Sequence, residues 1–201
     1  MTFLALVTPL TQATSHTSGA WPWYLIRASG ITAAALMVVL MISGIGMVTG
    51  HWFRLMEPVQ ARLFHRTIGI ALGVSVALHI TGILFDKYIK FSISSVAVPF
   101  LSDYRRIELV GIPVGSLGVA LGVLSLYLLA LIISTSLLAL NRYPRLWKLV
   151  HYFGYFVIFT VFFHGLMLGT DLASGLWRGV WAGFGALIMV AILVRLTRVG
   201  S

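Results

Sequence analysis

Five long apolar stretches, at about 23–48, 63–86, 114–140, 147–169 and 177–197, decide the fold class of this chain. A hydrocarbon core about 30 Å thick takes about 20 helical residues to cross. Backbone N–H and C=O groups find no water there, so a crossing segment in this pattern must be a helix that satisfies its own hydrogen bonds. The expected fold is all-α and integral to the membrane, a bundle of five transmembrane helices. With 59% hydrophobic and only 9% charged residues, the 201-residue chain has no material for a separate soluble domain. The expected organisation is a non-cytoplasmic tail at 1–22, a transmembrane domain at 23–197 and a cytoplasmic end at 198–201.

Cysteine is absent, which excludes disulfides, zinc–thiolate sites, iron–sulfur clusters and thiol redox chemistry. The formal charge of +9 does not point to nucleic acid, because the Lys and Arg residues stand beside apolar stretches and form no single basic tract. They read as topology signals and lipid headgroup contacts. No Lys or Arg occurs in the first 22 residues, unlike the basic start of a secretory signal. The apolar run at 3–10 is too short to span, so the tail is expected to lead into an interfacial anchor of Trp21, Trp23 and Tyr24.

With five crossings, one side of the membrane holds Arg54, Arg62, Arg66, Arg142, Arg145, Lys148, Arg195 and Arg198. The other holds Arg27, Lys87, Lys90, Arg105, Arg106 and Arg178, together with Asp86, Asp103, Glu108 and Asp171. Eight cations against six, with most acids on the poorer side, places the N-terminus outside and the C-terminus in the cytoplasm of a multi-pass cell-membrane protein. The longest loop, 87–113, contains a segment at 91–100 suited to lying in the interface.

Two apolar stretches each carry a histidine pair at nearly equal spacing, His65 and His79 in the second, His151 and His164 in the fourth. An imidazole in hydrocarbon needs a partner. The second and fourth crossings run in the same direction, so His65 meets His151 near the inner face and His79 meets His164 near the outer one. At 1.5 Å per residue the two levels lie about 20 Å apart, both within one bilayer and too distant to share a single ion. Haem iron, twice, is the partner inferred, with the two groups between helices 2 and 4. Fourteen residues make nearly four turns, so His65 and His79 share a face. Thirteen fall more than a third of a turn short, so the fourth crossing needs tilt, curvature or local tightening. Gly69, Gly73, Gly82, Gly154 and Gly165 lie where a flat macrocycle needs room, although small residues also mediate close helix contact.

These features resemble the ferric reductase-like transmembrane family, which includes the membrane domains of NADPH oxidases and ferric reductases and the haem-binding subunit of the methionine sulfoxide reductase system. The resemblance is carried by Arg27-Ala-Ser-Gly, His65-Arg-Thr-Ile-Gly, Leu78-His79, Trp147-Lys-Leu-Val-His151, and His164 with Gly169-Thr-Asp171, over about 23–197. It implies an inner haem b on His65 and His151 and an outer one on His79 and His164. It also implies electron flow from a cytoplasmic flavoprotein or flavin to an outer acceptor, in an oxidoreductase or its haem-bearing subunit. The C-terminal flavin and nicotinamide domain of the larger relatives has no counterpart before Ser201, so a separate flavin reductase or a quinol is the expected donor. Ile83 stands where NADPH oxidases have a further histidine, which argues against superoxide production as the purpose.

Arg27, near the outer end of the first crossing, is a candidate fork for haem propionates. Asp86 and Asp171, each seven residues beyond an outer histidine, could bind an oxidised substrate such as a ferric ion, but the favoured expectation is that they pair with Lys87, Arg105 or Arg178. Arg62, Arg66, Arg142, Arg145 and Lys148 form an inner basic cluster that could hold propionates, dock an acidic flavoprotein or act through positive-inside retention alone. His16 and His51 receive no ligand role. Two other functions stay open: a quinol-oxidising cytochrome b-type subunit, and a cofactor-free transporter or scaffold whose histidines join helices or relay protons.

Overall fold

A computed structural model of the chain describes residues 20–88, 90–104, 108–109, 112–113, 115–173 and 175–199. Helix α1 runs Trp21–Val48, with Pro22 in its first turn, and ends ahead of Gly50, whose φ of 77° breaks the helical path. Helix α2, Pro58–Phe85, also starts on a proline, and Asp86 leaves it in an extended conformation. A short helix α3, Ile93–Ala97, is capped by the Ser92 hydroxyl, which accepts from the Ser95 N–H. Helix α4 spans Gly115–Leu138. The fourth crossing is two helices, α5 Pro144–Tyr152 and α6 Gly154–Leu168, and α7 covers Gly175–Val199.

Five helical segments are long and apolar enough to cross a membrane, Trp21–Val48, Pro58–Phe85, Gly115–Leu138, Pro144–Leu168 and Gly175–Thr197. They agree with the sequence expectation to within about five residues. The 91–100 segment is helical only over Ile93–Ala97, and a two-residue antiparallel pair, Glu108–Leu109 with Ile112–Pro113, is added in the same loop. Within 1–22, only residues 20–22 are described. The tail at 1–19, His16, Arg105, Arg106 and residues 200–201 lie outside the described residues.

The bundle consists of two tightly packed helix pairs. α1 lies along α2, and α4 lies along α6, while α7 packs on α1. Direct approach between α2 and α6, the helices that carry His79 and His164, is sparse. The sequence expectation of sequential neighbours therefore holds for the first with the second and the third with the fourth. The second and third crossings, joined by the long loop, touch much less.

The buried core gathers Met37, Val38, Leu72, Leu129, Val157, Ile158 and Ile188. Leu72 stands midway between His65 and His79, and Val157 and Ile158 midway between His151 and His164. The core is thus an apolar layer separating two polar levels. Ser125 and Thr160 are buried with their hydroxyls 2.7 Å apart, and both are bonded to helix carbonyls, so they add no unpaired group.

Candidate functional site

The four histidines meet as two pairs, here named inner and outer from the expected orientation. The rings of His65 and His151 have centroids 6.1 Å apart and planes at 55°; those of His79 and His164 are 6.5 Å apart at 79°. Neither pair is joined by a hydrogen bond between its own rings among the described contacts. Each ring instead turns its Nδ1 to another helix or leaves it unpaired. His79 Nδ1 lies 2.9 Å from the Ile26 carbonyl on α1, and His164 Nδ1 lies 2.8 Å from the Gly118 carbonyl on α4. A carbonyl oxygen only accepts, so Nδ1 donates and the lone pair of the neutral ring is left on Nε2.

His65 Nδ1 sits 2.9 Å from the Ser43 hydroxyl, which donates its own proton to the Leu40 carbonyl and thus accepts from the ring. His151 differs. Its Nδ1 is buried with no hydrogen-bond partner, and its ring lies against Trp147, centroids 5.1 Å apart. The Trp147 N–H in turn donates to the Ser136 hydroxyl on α4.

Room for three of the rings comes from glycines on the neighbouring helices. A Cβ at Gly30 would meet His79 at 3.2 Å, one at Gly44 would meet His65 at 3.1 Å, and one at Gly122 would meet His164 at 2.6 Å. Gly30 and Gly44 each follow a serine, and the two Ser-Gly pairs of α1 are fourteen residues apart, the same interval as His65 and His79. Two antiparallel helices in that register bring one Ser-Gly step to each histidine.

The glycines singled out from the sequence divide. Gly82 lies under Ile26, Gly73 faces Ile133 and Gly165 faces Trp181, so these serve packing. At Gly69 an added Cβ would meet only Leu40, at 3.8 Å, and at Gly154 it would meet nothing. The thirteen-residue spacing includes a break at Phe153, where α5 ends, the Phe153 N–H bonds to the Val150 carbonyl in a tightened turn and α6 begins.

These residues fit a haem held by two histidines. An imidazole nitrogen binds a first-row metal at about 2 Å and lies about 1 Å from its ring centre, so rings on opposite sides of one metal have centroids about 6 Å apart. Both pairs have that separation. Three of the four rings also carry the outer hydrogen bond at Nδ1 that orients a metal-bound imidazole. Among the described residues no three His, Asp or Glu side chains converge on one point, so the arrangement is two pairs and not a polynuclear cluster.

Arg27 finds a protein partner. Its Nε donates to Asp171 at 3.0 Å, its Nη2 bonds the other carboxylate oxygen, and its guanidinium lies 4.2 Å from the centre of the Trp23 ring. The fork expected to receive propionates thus holds a carboxylate. Asp171 is ion-paired as expected in kind, and among the described residues its cation is Arg27, which the 3-10 turn Thr170–Ala173 brings it to. Asp86 is buried and accepts from the Tyr88 N–H at 2.8 Å. Arg62, Arg66, Arg142, Arg145 and Lys148 are all exposed, and exposed His51 bonds the Thr49 hydroxyl at its Nδ1. Sequence reasoning missed Ser43, Gly30, Gly44 and Gly122; the repeated Ser-Gly step was the legible signal for the first three.

A multi-pass helical bundle with histidines paired at two depths defines the class of protein. A family model, the ferric reductase like transmembrane component, matches residues 29–162, about two thirds of the chain, and the chain belongs to that family. The matched stretch includes His65, His79 and His151 and ends two residues before His164. Comparison with curated proteins and with solved structures gives no match. The family assigns the chain to transmembrane electron transfer in general terms.

Proposed function

We propose that the chain carries electrons across the membrane through two haem b groups, an inner one on His65 and His151 and an outer one on His79 and His164. The donor would be a cytoplasmic-side flavoprotein or flavin, and the acceptor would lie outside. The observation that supports this reading is the pair of ring separations, together with Nδ1 atoms committed to other helices. A haem held by two of these histidines would supply one-electron chemistry.

The chain's own residues supply the rest. Ser43, and the carbonyls of Ile26 and Gly118, hold three imidazoles in one tautomer with Nε2 available. Gly30, Gly44 and Gly122 let the Nδ1 edges of those rings approach α1 and α4 closely. The apolar layer of Met37, Leu72, Leu129 and Val157 excludes water between the levels, so no chain of water crosses with the electron. Arg27 and Asp171 tie α1 to the turn after α6 and brace the outer level.

The test is a reduced-minus-oxidised absorption spectrum with haem extraction on the purified chain. Two haems per chain are expected, and one in His79→Ala, with the inner group retained. A colourless preparation from haem-replete cells, or two haems in His79→Ala, would overturn the assignment.

A further inference from the structure

An arginine in the last turns of a membrane span ordinarily extends along its stem to reach water. Arg195 of α7 instead packs over two rings, its guanidinium carbon 5.3 Å from the centre of Tyr152 and 5.1 Å from that of Tyr155. These tyrosines flank the break at Phe153, and Tyr152 directly follows His151. The clamp thus fixes the charge against the residue next to His151 and against the first turn of α6. No carboxylate pairs with Arg195 among the described residues, where the ion pair formed is Arg27 with Asp171. The charge is therefore fixed in place and uncompensated by any described carboxylate.

His151 is also the ligand whose Nδ1 has no acceptor. A hydrogen bond from Nδ1 to an acceptor makes a metal-bound imidazole more basic and stabilises the oxidised metal. Its absence, and a cation nearby in a medium of low dielectric constant, act in the same direction, since both favour the state with one more electron. The outer pair has the opposite surroundings, with both Nδ1 atoms donating to carbonyls and the neighbouring Arg27 neutralised by Asp171.

We propose that Arg195, clamped by Tyr152 and Tyr155 beside His151, raises the electron affinity of the inner histidine pair and so helps draw electrons into the chain. This rests on the haem reading above. Arg195 touches no reacting atom in the proposal; it acts through the field it places on the inner site.

The experiment is an optically monitored redox titration of the purified full chain, with the inner component identified as the one missing from His65→Ala. In Arg195→Gln the inner group should hold its electron about tenfold less tightly, a fall of about 59 mV for one electron, with the outer component unmoved. Arg195→Lys, which keeps the charge, should recover most of the difference. An unmoved inner component in Arg195→Gln, or an equal shift of both components, would overturn the proposal. Should Arg195→Gln lose its inner haem, Tyr155→Leu decides. It loosens the clamp and should lower the inner potential by a smaller amount, whereas no shift would overturn the role. A wild-type chain without haem would instead remove the haem reading itself, an outcome distinct from two haems with an indifferent Arg195.

Discussion

Among the described glycines, Gly122 leaves the least room beside any of the four rings, and its substitution has a definite expected outcome. A methyl group there would come within 2.6 Å of His164, so Gly122→Ala should displace the ring and halve the haem content, measured by extraction. Gly154→Ala, where nothing lies within reach, should leave both haems in place. Ser43→Ala removes the acceptor of His65 Nδ1 and should weaken inner haem retention by about 10- to 100-fold, read from loss of haem to an apoprotein acceptor. The histidines were legible in the sequence because ionisable groups are scarce in hydrocarbon and these four repeat at matched intervals. Ser43, Gly30 and Gly44 carried a signal in their repeated Ser-Gly step, but it went unread because small residues in a membrane helix ordinarily signify only close packing. What distinguishes them is the interval they share with His65 and His79 once the helices are paired.

The five crossings could be read from apolar length alone, since a hydrocarbon layer leaves the backbone little choice. The division of the fourth into α5 and α6 could not. The sequence exposed the angular mismatch of His151 and His164, but tilt, curvature and tightening all remained possible, and the structure places a helix break with a tightened turn at Phe153, between the two. The partner of Arg27 was likewise hidden, because it depends on where the 3-10 turn at Thr170–Ala173 places Asp171. Arg27→Gln and Asp171→Asn should each lower stability by about 1 kcal/mol, the range of a partly exposed bidentate pair, and the double variant should cost little more. Thermal unfolding in detergent, arranged as a double-mutant cycle, checks this. Costs that simply add would mean the two side chains act independently.

The assembly of the helices could be anticipated only in part, because nothing in local sequence states which helices touch closely. Two tight pairs with sparse contact between α2 and α6 mean that, on the proposed function, haem would be the main material joining the histidine-bearing helices. A ligand that binds only the folded form stabilises it by mass action, so haem-depleted protein should unfold at a lower temperature than the loaded form, and added haem should restore the difference. Equal unfolding temperatures would show that the pairs hold together unaided. α2 contributes one imidazole to each level, and the crossing formed by α5 and α6 contributes the other. Neither half of the polypeptide can complete a binding place alone, so pigment capture and the docking of the halves become a single event. Fragments bearing one half each, made together, should gain colour only by finding one another.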